Sequence, residues 1–264
     1  RDKHEIIDMI TEYRSVVKLK STYVDGIEAL VNAKDGRIHS SFNQTITTTG
    51  RISSTDPNMQ NIPVRTDMGR QIRKVFMAGD SMSLVDADYS QVELRVLAHM
   101  SQDPHMIEAF NSGEDIHRKT ASQVFNVDFN QVTPELRSAA KAVNFGIIYG
   151  KSDFGLSQDL NISQKKAKEY IESYFIKYEA IKAFMDHIVS EAEEKGYSTT
   201  IFNRRRYIPE IKSSNFVEKN RGKRAAMNAP IQGSAADIIK IAMVNVYNRL
   251  KEKGLSLSYR STMN

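Results

Sequence analysis

The stretch Arg137-Ser-Ala-Ala-Lys141-Ala-Val-Asn-Phe145-Gly-Ile-Ile-Tyr149-Gly150 decides how this chain is interpreted. An α-helix turns about 100° per residue, so residues four apart lie on nearly the same face. Arg137, Lys141, Phe145 and Tyr149 therefore form one stripe on a predicted helix. Two cations suit the oxygens of a polyphosphate, and a flat ring one turn further on suits a nucleobase and its sugar. The stripe has the outline of a nucleoside triphosphate site, although a solvated cationic face that grades into a buried aromatic one has the same spacing.

A second segment has the pattern of a short apolar strand that runs into an amphipathic helix: Ser83-Leu-Val-Asp-Ala-Asp88-Tyr-Ser-Gln-Val-Glu93-Leu-Arg-Val-Leu-Ala-His99. A carboxylate at a strand end beside a helix start is well placed to hold a hard divalent cation, so Asp88 is a candidate metal ligand. The alternative is an aspartate that caps the following helix. Ser90-Gln-Val-Glu93 also fits a capping box, in which the glutamate reaches back to the N-cap amide.

Three further motifs lie on either side of these segments. They are Thr49-Gly-Arg51-Ile-Ser-Ser-Thr-Asp-Pro-Asn58-Met-Gln60-Asn-Ile-Pro63, Gly113-Glu-Asp-Ile-His117-Arg and Arg224-Ala-Ala-Met-Asn228-Ala-Pro-Ile-Gln232-Gly-Ser-Ala-Ala-Asp237. All the motifs together resemble those of the family A DNA polymerases, the DNA polymerase I group, in that family's order. Any one motif alone is a weak signal, but five in order from Thr49 to Asp237 leave little room for coincidence.

The resemblance implies a helix-rich α/β (α+β) fold, a right-hand polymerase palm with a helical fingers insertion. Residues 1–36 would be the end of a thumb, 37–100 the first part of the palm, 101–215 the fingers, and 216–264 an incomplete second part of the palm. Such an insertion agrees with the local patterns, which place strand signals towards the two ends of the chain and helices in the middle.

Periodicity and capping residues give more detailed expectations. Arg37 to Ile46 is predicted as strand or hairpin, Val75 to Met77 and Met82 to Ala87 as strands, and Tyr197 to Ile208 as a hairpin. Thr133 followed by Pro134 and Glu135 predicts the start of the stripe helix. Pro230 is expected to break or kink the last helical run. The predicted helices are Asp2–Lys20, Gln91–Met100, Pro104–Asn111, Ile116–Phe125, Pro134–Tyr149, Gln164–Tyr178, Ile181–Lys195, Asn215–Asn228 and Ala235–Lys253.

The resemblance also assigns roles in nucleotide binding and transfer. Asp88 and the backbone carbonyl of Tyr89 would bind two Mg²⁺ ions. Arg137, Lys141 and His117 would bind the incoming phosphates, with Lys141 also a candidate general acid, although a lone histidine is by default a surface or core residue.

The same resemblance assigns the aromatic end of the stripe. Phe145 would pack on the nucleotide and lead to poor acceptance of dideoxynucleotides, and Tyr149 would lie near the templating base. Glu93 would lie under the sugar and exclude a ribose 2′-hydroxyl, a role that is compatible with a capping box.

A further set of polar residues would line the DNA at the primer terminus, where the minor groove presents acceptors common to all base pairs. Spacing alone leaves a polar helix face as the alternative for the last three members of the set. The run Arg204-Arg205-Arg206 is interpreted as solvated charge, and no contact is assigned to it. The DNA-lining set is Arg51, Asn58, Gln60, Arg224, Asn228 and Gln232.

Composition sets broad limits. A net charge of +5 and a pI near 9.2 are compatible with a polyanionic partner. The chain has no cysteine, which excludes disulfides and thiolate metal sites, and it has no apolar run of the length that a membrane span needs. Primer-template DNA and deoxynucleoside triphosphates are the expected partners of a cytoplasmic, nucleoid-associated monomer. A small-molecule nucleotide enzyme is disfavoured because no Walker-type or dinucleotide glycine loop occurs.

The resemblance fails at one place that matters. The family carries a second palm aspartate after a histidine, soon after the last long helix, whereas here the chain continues Gly254-Leu-Ser-Leu-Ser-Tyr-Arg-Ser-Thr-Met-Asn264. Asp86 stands where the family usually has a small uncharged residue, and it is either an additional metal ligand or an acidic neighbour on the strand. The expected function is template-directed DNA synthesis by a fragment with weak or no activity of its own. The alternative is a non-catalytic module that binds primer-template DNA.

Overall fold

The computed structural model describes residues 4–63 and 67–255 and is rich in helix, at 64%. The chain divides into two compact units, of which the first comprises Arg1–Asp88 and Tyr247–Asn264. Within this unit the two short strands pair antiparallel, with Phe42 opposite Ser54. The elements of the first unit are helix α1 (Glu5–Leu19), a π-helical turn (Lys20–Asp25), α2 (Gly26–Glu28), strands β1 (Ser41–Asn43) and β2 (Ser53–Thr55), a 3₁₀ turn (Met59–Asn61) and α3 (Asp67–Arg73).

The second unit, Tyr89–Val246, is almost entirely helical. Its two short strands form an antiparallel hairpin that pairs Ser198 with Arg206. Its elements are helices α4 (Val92–Ser101), α5 (Pro104–Asn111), α6 (Ile116–Phe125), α7 (Pro134–Ile148), α8 (Asp153–Leu160), α9 (Gln164–Lys177) and α10 (Glu179–Lys195), strands β3 (Tyr197–Thr199) and β4 (Arg205–Tyr207), 3₁₀ turns at Phe129–Gln131 and Pro209–Lys212, and helix α11 (Phe216–Glu252), which continues into the first unit. In the described part of the chain, no helix is both long and apolar enough to span a membrane.

The main core of the second unit forms where the apolar faces of α4, α6, α7 and α9 meet. Leu94, Leu97, Ile148 and Tyr174 are all fully buried in this cluster. Burial of such side chains stabilises the fold by roughly 1.5–3 kcal/mol each, which is how amphipathic helices with modest intrinsic propensity are held together. This core fixes the face of α7 that carries the predicted stripe.

Most of the predicted helices are confirmed. Pro104–Asn111 and Ile116–Phe125 have the predicted bounds, and the ends of Gln91–Met100, Pro134–Tyr149, Gln164–Tyr178 and Ile181–Lys195 differ by no more than two residues. Thr133 caps α7 as predicted, because its hydroxyl accepts a hydrogen bond from the Leu136 amide at 3.3 Å. The hairpin between Tyr197 and Ile208 is also confirmed. Helices α3 and α8 were not predicted.

The predicted strands at Val75–Met77 and Met82–Ala87 are wrong. In the structure both segments are irregular and, apart from the half-buried Phe76, solvent-exposed; Val85 is 89% exposed. A strand is stable only when a neighbour satisfies its backbone groups and covers one of its faces. Among residues 4–63 and 67–255 no segment pairs with either stretch. Residues 256–264, which belong to the predicted second part of the palm, lie outside the described residues.

The expected break at Pro230 is also wrong, because α11 runs for 37 residues from Phe216 to Glu252 with Pro230 inside it. Proline has no N–H, so the carbonyl four residues earlier, that of Ala226, loses its helical donor. The Ser198 hydroxyl of β3 donates to this carbonyl at 3.3 Å. The hairpin therefore supplies the hydrogen bond that the proline cannot make, and the helix continues.

Candidate functional site

Helix α7 carries the predicted stripe as a cationic end followed by an aromatic end. Arg137 and Lys141 are exposed, while Phe145 is half-buried. The rings of Phe145 and Tyr149 lie 6.3 Å apart at an interplanar angle of 16°, and the His117 ring lies 5.9 Å from Phe145. Two solvent-facing cations beside a set of flat rings can bind a charged group and a planar group at the same time.

The cationic end is tied to the start of helix α6. Arg137 Nε donates to Asp115 Oδ2 at 2.7 Å. The other oxygen of this carboxylate caps α6 by accepting from the amides of His117 and Arg118. Desolvation by itself raises the pKa of Asp115, but hydrogen bonds from Arg137 and from the Arg118 and His117 amides outweigh it and hold that pKa below its usual value. Arg137 is therefore oriented by an ionised carboxylate.

His117 lies inside this region with only 1% of its surface exposed. Its Nδ1 is 3.1 Å from the side-chain nitrogen of Asn144, and within the described ranges its Nε2 has no hydrogen-bond partner. Burial is the main cause that lowers the pKa of His117 to about 4; the charge of Asp115 opposes this shift, and the charges of Arg137 and Lys141 add to it. The imidazole is therefore uncharged at neutral pH.

Glu93 and Tyr149 join helix α4 to the aromatic end. The Tyr149 hydroxyl donates to Glu93 Oε2 at 3.0 Å, and Glu93 is buried. The capping box expected at Ser90 is not formed, because the N-cap of α4 is Gln91 in a left-handed conformation with no side-chain hydrogen bond. The carboxylate of Glu93 instead faces the ring that ends the stripe.

Gly150 brings the end of α7 close to helix α11. Its φ of +60° lies in the left-handed region that favours glycine. A Cβ at this position would lie 3.0 Å from Cγ and 3.3 Å from Cα of Arg224. The start of the predicted row Arg224, Asn228 and Gln232 is thus beside the stripe. Arg224 is exposed, the other two are half-buried, and Asn228 Nδ2 has no partner within the described ranges.

The hairpin contributes residues that the sequence analysis misjudged. Arg204 was interpreted as solvated charge, but it donates from Nε and Nη2 to Asp237 Oδ1 at 2.9 and 2.5 Å. The Thr200 hydroxyl donates to the other oxygen of the same carboxylate at 3.0 Å. Asp237 is the last residue of the motif that begins at Arg224. Its place in that motif was the feature of the sequence that could have indicated an ion-pair partner for this carboxylate. These contacts hold the hairpin on α11.

Three of the predicted DNA-lining residues belong to the first unit. Asn58 is exposed, and its Oδ1 accepts from the Gln60 amide at 3.0 Å. Gln60 Nε2 donates to the Ile52 carbonyl at 2.7 Å, and Arg51 is half-buried. Their side chains are held on the short β1–β2 segment and its following turn.

Asp88, the predicted metal ligand, ends the first unit in an exposed irregular segment that also contains Asp86. Tyr89 follows it and is 52% exposed. No group of three or more His, Cys, Asp or Glu residues that could hold a metal ion occurs in residues 4–63 and 67–255. One carboxylate and one backbone carbonyl are oxygen donors of the type that Mg²⁺ prefers, but they supply only part of an octahedral ligand set.

Comparison with known proteins places this geometry in a family. The family model described as DNA polymerase family A matches residues 1–263. The DNA polymerase I of Caldicellulosiruptor bescii is 53% identical over 96% of this chain, which covers 30% of that protein. The DNA polymerase I of Geobacillus stearothermophilus is also 53% identical over 96% of the chain, which covers 29% of it. The thermostable DNA polymerase I of Thermus thermophilus is 48% identical over 96% of the chain and is covered to 31%.

A solved structure agrees with the sequence comparison. It is described as the POL domain of Pol1 from M. smegmatis in complex with DNA primer-template and dNTP, and it matches 96% of this chain and 45% of its own chain with a TM-score of 0.89 and 47% identity. The chain spans less than a third of each of the three relatives named above. A family match over nearly every residue, together with this shared structure, shows that the chain belongs to DNA polymerase family A.

Proposed function

We propose that this chain is the nucleotide-binding part of a DNA polymerase that transfers a nucleotidyl group from a deoxynucleoside triphosphate to a primer 3′-hydroxyl. The observation that carries the proposal is the stripe on α7, where the exposed cations Arg137 and Lys141 lead into Phe145 and Tyr149, whose rings lie 6.3 Å apart. The M. smegmatis structure, which contains primer-template and dNTP, supports the same assignment.

The cationic end would bind the triphosphate. The guanidinium of Arg137 has further donors beyond the Nε–H that it gives to Asp115, and these suit phosphate oxygens. Lys141 is exposed and lies one helical turn further along the stripe. It would bind the same phosphates and donate a proton to the pyrophosphate leaving group as the bond to the transferred phosphorus breaks. His117 would add a neutral hydrogen-bond donor.

The aromatic end would hold the base and the sugar. Phe145 would pack against the nucleotide, and Tyr149 would lie near the templating base. Because Glu93 is buried and accepts a hydrogen bond from Tyr149, its carboxylate is held in one place. A fixed carboxylate beside the sugar would exclude a 2′-hydroxyl by steric contact, which would make the site selective for deoxyribonucleotides.

The polar row on α11 would contact the DNA minor groove, together with the polar residues near β2. Amide and guanidinium groups can donate to the purine N3 and pyrimidine O2 acceptors that every base pair presents, so the contact needs no particular sequence. The proposed DNA-binding residues are Arg51, Asn58, Gln60, Arg224, Asn228 and Gln232.

Asp88 and the carbonyl of Tyr89 are the proposed protein ligands for Mg²⁺, with Asp86 as a neighbouring carboxylate. When bound, two Mg²⁺ ions would activate the primer 3′-hydroxyl and neutralise the charge that grows on the triphosphate. Asp88 and the Tyr89 carbonyl supply only part of the oxygen ligands that two such ions need. We also propose that the protein acts as a cytoplasmic, nucleoid-associated monomer.

The test separates nucleotide binding, DNA binding and catalysis. In the 264-residue chain, Lys141→Ala should weaken dATP binding at least tenfold and leave primer-template affinity almost unchanged. Lys165→Ala, which removes an exposed charge from α9 away from the stripe, is the matched control and should change neither. An equal loss of DNA affinity in Lys141→Ala would place Lys141 on the duplex and refute the assignment.

Catalysis is tested by grafting the chain into the Geobacillus stearothermophilus DNA polymerase I in place of the segment that it matches. We expect single-turnover incorporation with Mg²⁺, reduced by a factor on the order of 10² in Lys141→Ala, if that residue both binds and protonates. Binding of primer-template and dATP without extension by the graft would favour the non-catalytic module instead.

A further inference from the structure

A buried polar cluster lies behind the stripe, on the inner face of α7. Asn144 and Thr120 are fully buried, and His117 is 1% exposed. Asn144 Nδ2 is 3.1 Å from both the Thr120 hydroxyl and His117 Nδ1. The cluster continues from Thr120 to the Tyr178 hydroxyl, 3.4 Å away. Within the described part of the chain, His117 connects the cluster to the stripe, because its ring lies 5.9 Å from that of Phe145.

The hydrogen bonds of this cluster assign the proton on His117. The Tyr178 hydroxyl donates to Gln123 Oε1 at 2.6 Å, and the Thr120 hydroxyl donates to the Ile116 carbonyl at 2.8 Å, which is shorter than its 3.3 Å contact with Asn144 Oδ1. With its one proton used, the Thr120 oxygen accepts from the amide group of Asn144. The second amide proton is then directed at His117 Nδ1, which must accept it. The ring proton is therefore on Nε2.

We propose that Asn144 is a positioning residue, which holds His117 as the Nε2–H tautomer so that the uncharged ring donates a hydrogen bond to a triphosphate oxygen. This inference rests on the proposed function, because it takes the phosphates to lie at the cationic end of the stripe. It adds a role for Asn144, which reaches the ligand only through His117. A buried N–H without an acceptor is unfavourable, and Nε2 has none within the described ranges, so a phosphate oxygen would restore the missing bond.

The charges that face His117 favour a neutral donor over an imidazolium. Burial has the largest effect on its pKa, Asp115 at the start of α6 raises it, and Arg137 and Lys141 on α7 lower it, with a net result of about 4. A protonated ring would also lose the hydrogen bond from Asn144, because both imidazolium nitrogens are donors. Holding the proton on Nε2 gives the site a third donor for the triphosphate without placing a charge on the buried ring.

The first experiment reads the tautomer directly. The chain is labelled with ¹⁵N-histidine, and the signal of His117 among the six histidines is identified by its loss in His117→Gln. Two-bond ¹⁵N–¹H correlations distinguish Nε2–H from Nδ1–H and from the imidazolium. We expect Nε2–H at neutral pH. A ring protonated on Nδ1, or on both nitrogens, would overturn the inference.

Asn144→Asp then reverses the hydrogen bond with almost no change in shape. A carboxylate accepts where the amide donates, so it should move the ring proton to Nδ1 and raise the midpoint of the His117 titration by at least one pH unit. Gln123→Glu is the matched control, since it adds the same charge to the cluster at the far side of Tyr178 and should move the titration far less. Equal effects of the two substitutions would overturn the direct contact.

A double-mutant cycle separates positioning from packing. Asn144→Leu should weaken dATP binding about tenfold in the unsubstituted chain but less than twofold in a His117→Ala chain, where there is no ring left to orient. The same loss in both backgrounds would show that Asn144 acts through packing and would overturn the inference. If Asn144→Leu does not fold, Asn144→Asp takes its place in the cycle.

The outcomes also distinguish this inference from the function on which it rests. A chain that binds no dATP would refute the proposed function and, with it, the phosphate contact of His117. A chain that binds dATP but holds the proton on Nδ1 would refute the role of Asn144 alone and leave the proposed function intact.

Discussion

Replacing Ser198 of β3 with alanine should destabilise the chain, because the Ser198 hydroxyl replaces a hydrogen bond that Pro230 of α11 cannot make. Pro230 is buried inside α11 and deprives the Ala226 carbonyl of its helical donor, and the Ser198 hydroxyl donates to that carbonyl at 3.3 Å. A buried acceptor left without a partner costs about 1–3 kcal/mol. The bond is longer than a typical O–H···O bond, so we expect a loss of about 1 kcal/mol in the free energy of unfolding for Ser198→Ala.

The same substitution should cost much less once the proline is gone. In a Pro230→Ala chain the new N–H can donate to the Ala226 carbonyl, so Ser198→Ala should cost no more than ~0.3 kcal/mol and the coupling should be close to 1 kcal/mol. Pro230→Ala by itself removes a helix-interior proline, which is ~3 kcal/mol less favourable than alanine, and also removes packing contacts of the ring. Both effects are present with and without Ser198, so they cancel in the double-mutant cycle. Urea unfolding of the four chains, with equal slopes, measures the coupling.

A matched control uses Ser157, another buried serine of the second unit, whose hydroxyl donates to the Phe154 carbonyl within α8. Ser157→Ala should lower the free energy of unfolding by the same amount with and without Pro230, because the Ser157 hydroxyl donates within its own helix and not to the carbonyl that Pro230 leaves without a donor. Equal costs of Ser198→Ala in both backgrounds would mean that Ser198 does not replace the missing donor, and the explanation for the unbroken helix would be wrong.

Three further predictions concern a close contact, a buried base and sugar selection. Gly222→Ala should lower the free energy of unfolding by at least ~2 kcal/mol, because the new Cβ would lie 2.6 Å from the Ile211 backbone nitrogen. In Gly155→Ala the nearest neighbours of the new Cβ are 3.7 Å away, so the same urea assay should show no change or a gain of up to ~1 kcal/mol. The pKa of His117 is lowered, mainly by burial, to about 4 in the folded chain, so as the pH falls the unfolded chain takes up this proton before the folded chain does. The free energy of unfolding should therefore decrease as the pH drops from about 6.5 to about 4, and this part of the pH dependence should vanish in His117→Gln. Glu93→Ala in the grafted polymerase should raise ribonucleotide use relative to deoxyribonucleotide use, and unchanged selectivity with a lower melting temperature would limit Glu93 to a structural role.

The helices of the second unit were predictable because their signals are local. Thr133 and Pro134 mark the start of α7, and the apolar period of three to four residues marks the faces that Leu94 and Ile148 bury. A cap or an amphipathic face needs no knowledge of the rest of the chain. The stripe on α7 was predictable for the same reason, since spacing along one helix determines which of its residues share a face.

The errors arise where a distant segment decides the outcome. Pro230 should end a helix by local rules, and only Ser198, thirty-two positions earlier in the chain, allows α11 to continue. Arg204 is one of three consecutive arginines, and nothing local shows that it alone meets Asp237. The apolar segment around Val85 has strand-like composition, yet strand formation depends on a partner that the segment itself does not contain.

Helix α7 both presents the stripe to the proposed ligand and packs against α6, because residues that serve the two roles alternate along one stretch of the chain. Lys141 and Phe145 face the proposed ligand, while Asn144, between them in sequence, is fully buried among polar groups. A buried amide is unfavourable unless its hydrogen bonds are satisfied, so Asn144 fixes the rotation of α7 against α6 as well as the proton on His117. A rotation that moved the stripe cations would break the bonds of Asn144 to Thr120 and His117. The position of the proposed phosphate-binding groups is therefore set from inside the helix packing, and variants of this buried cluster should change nucleotide affinity more than primer-template affinity.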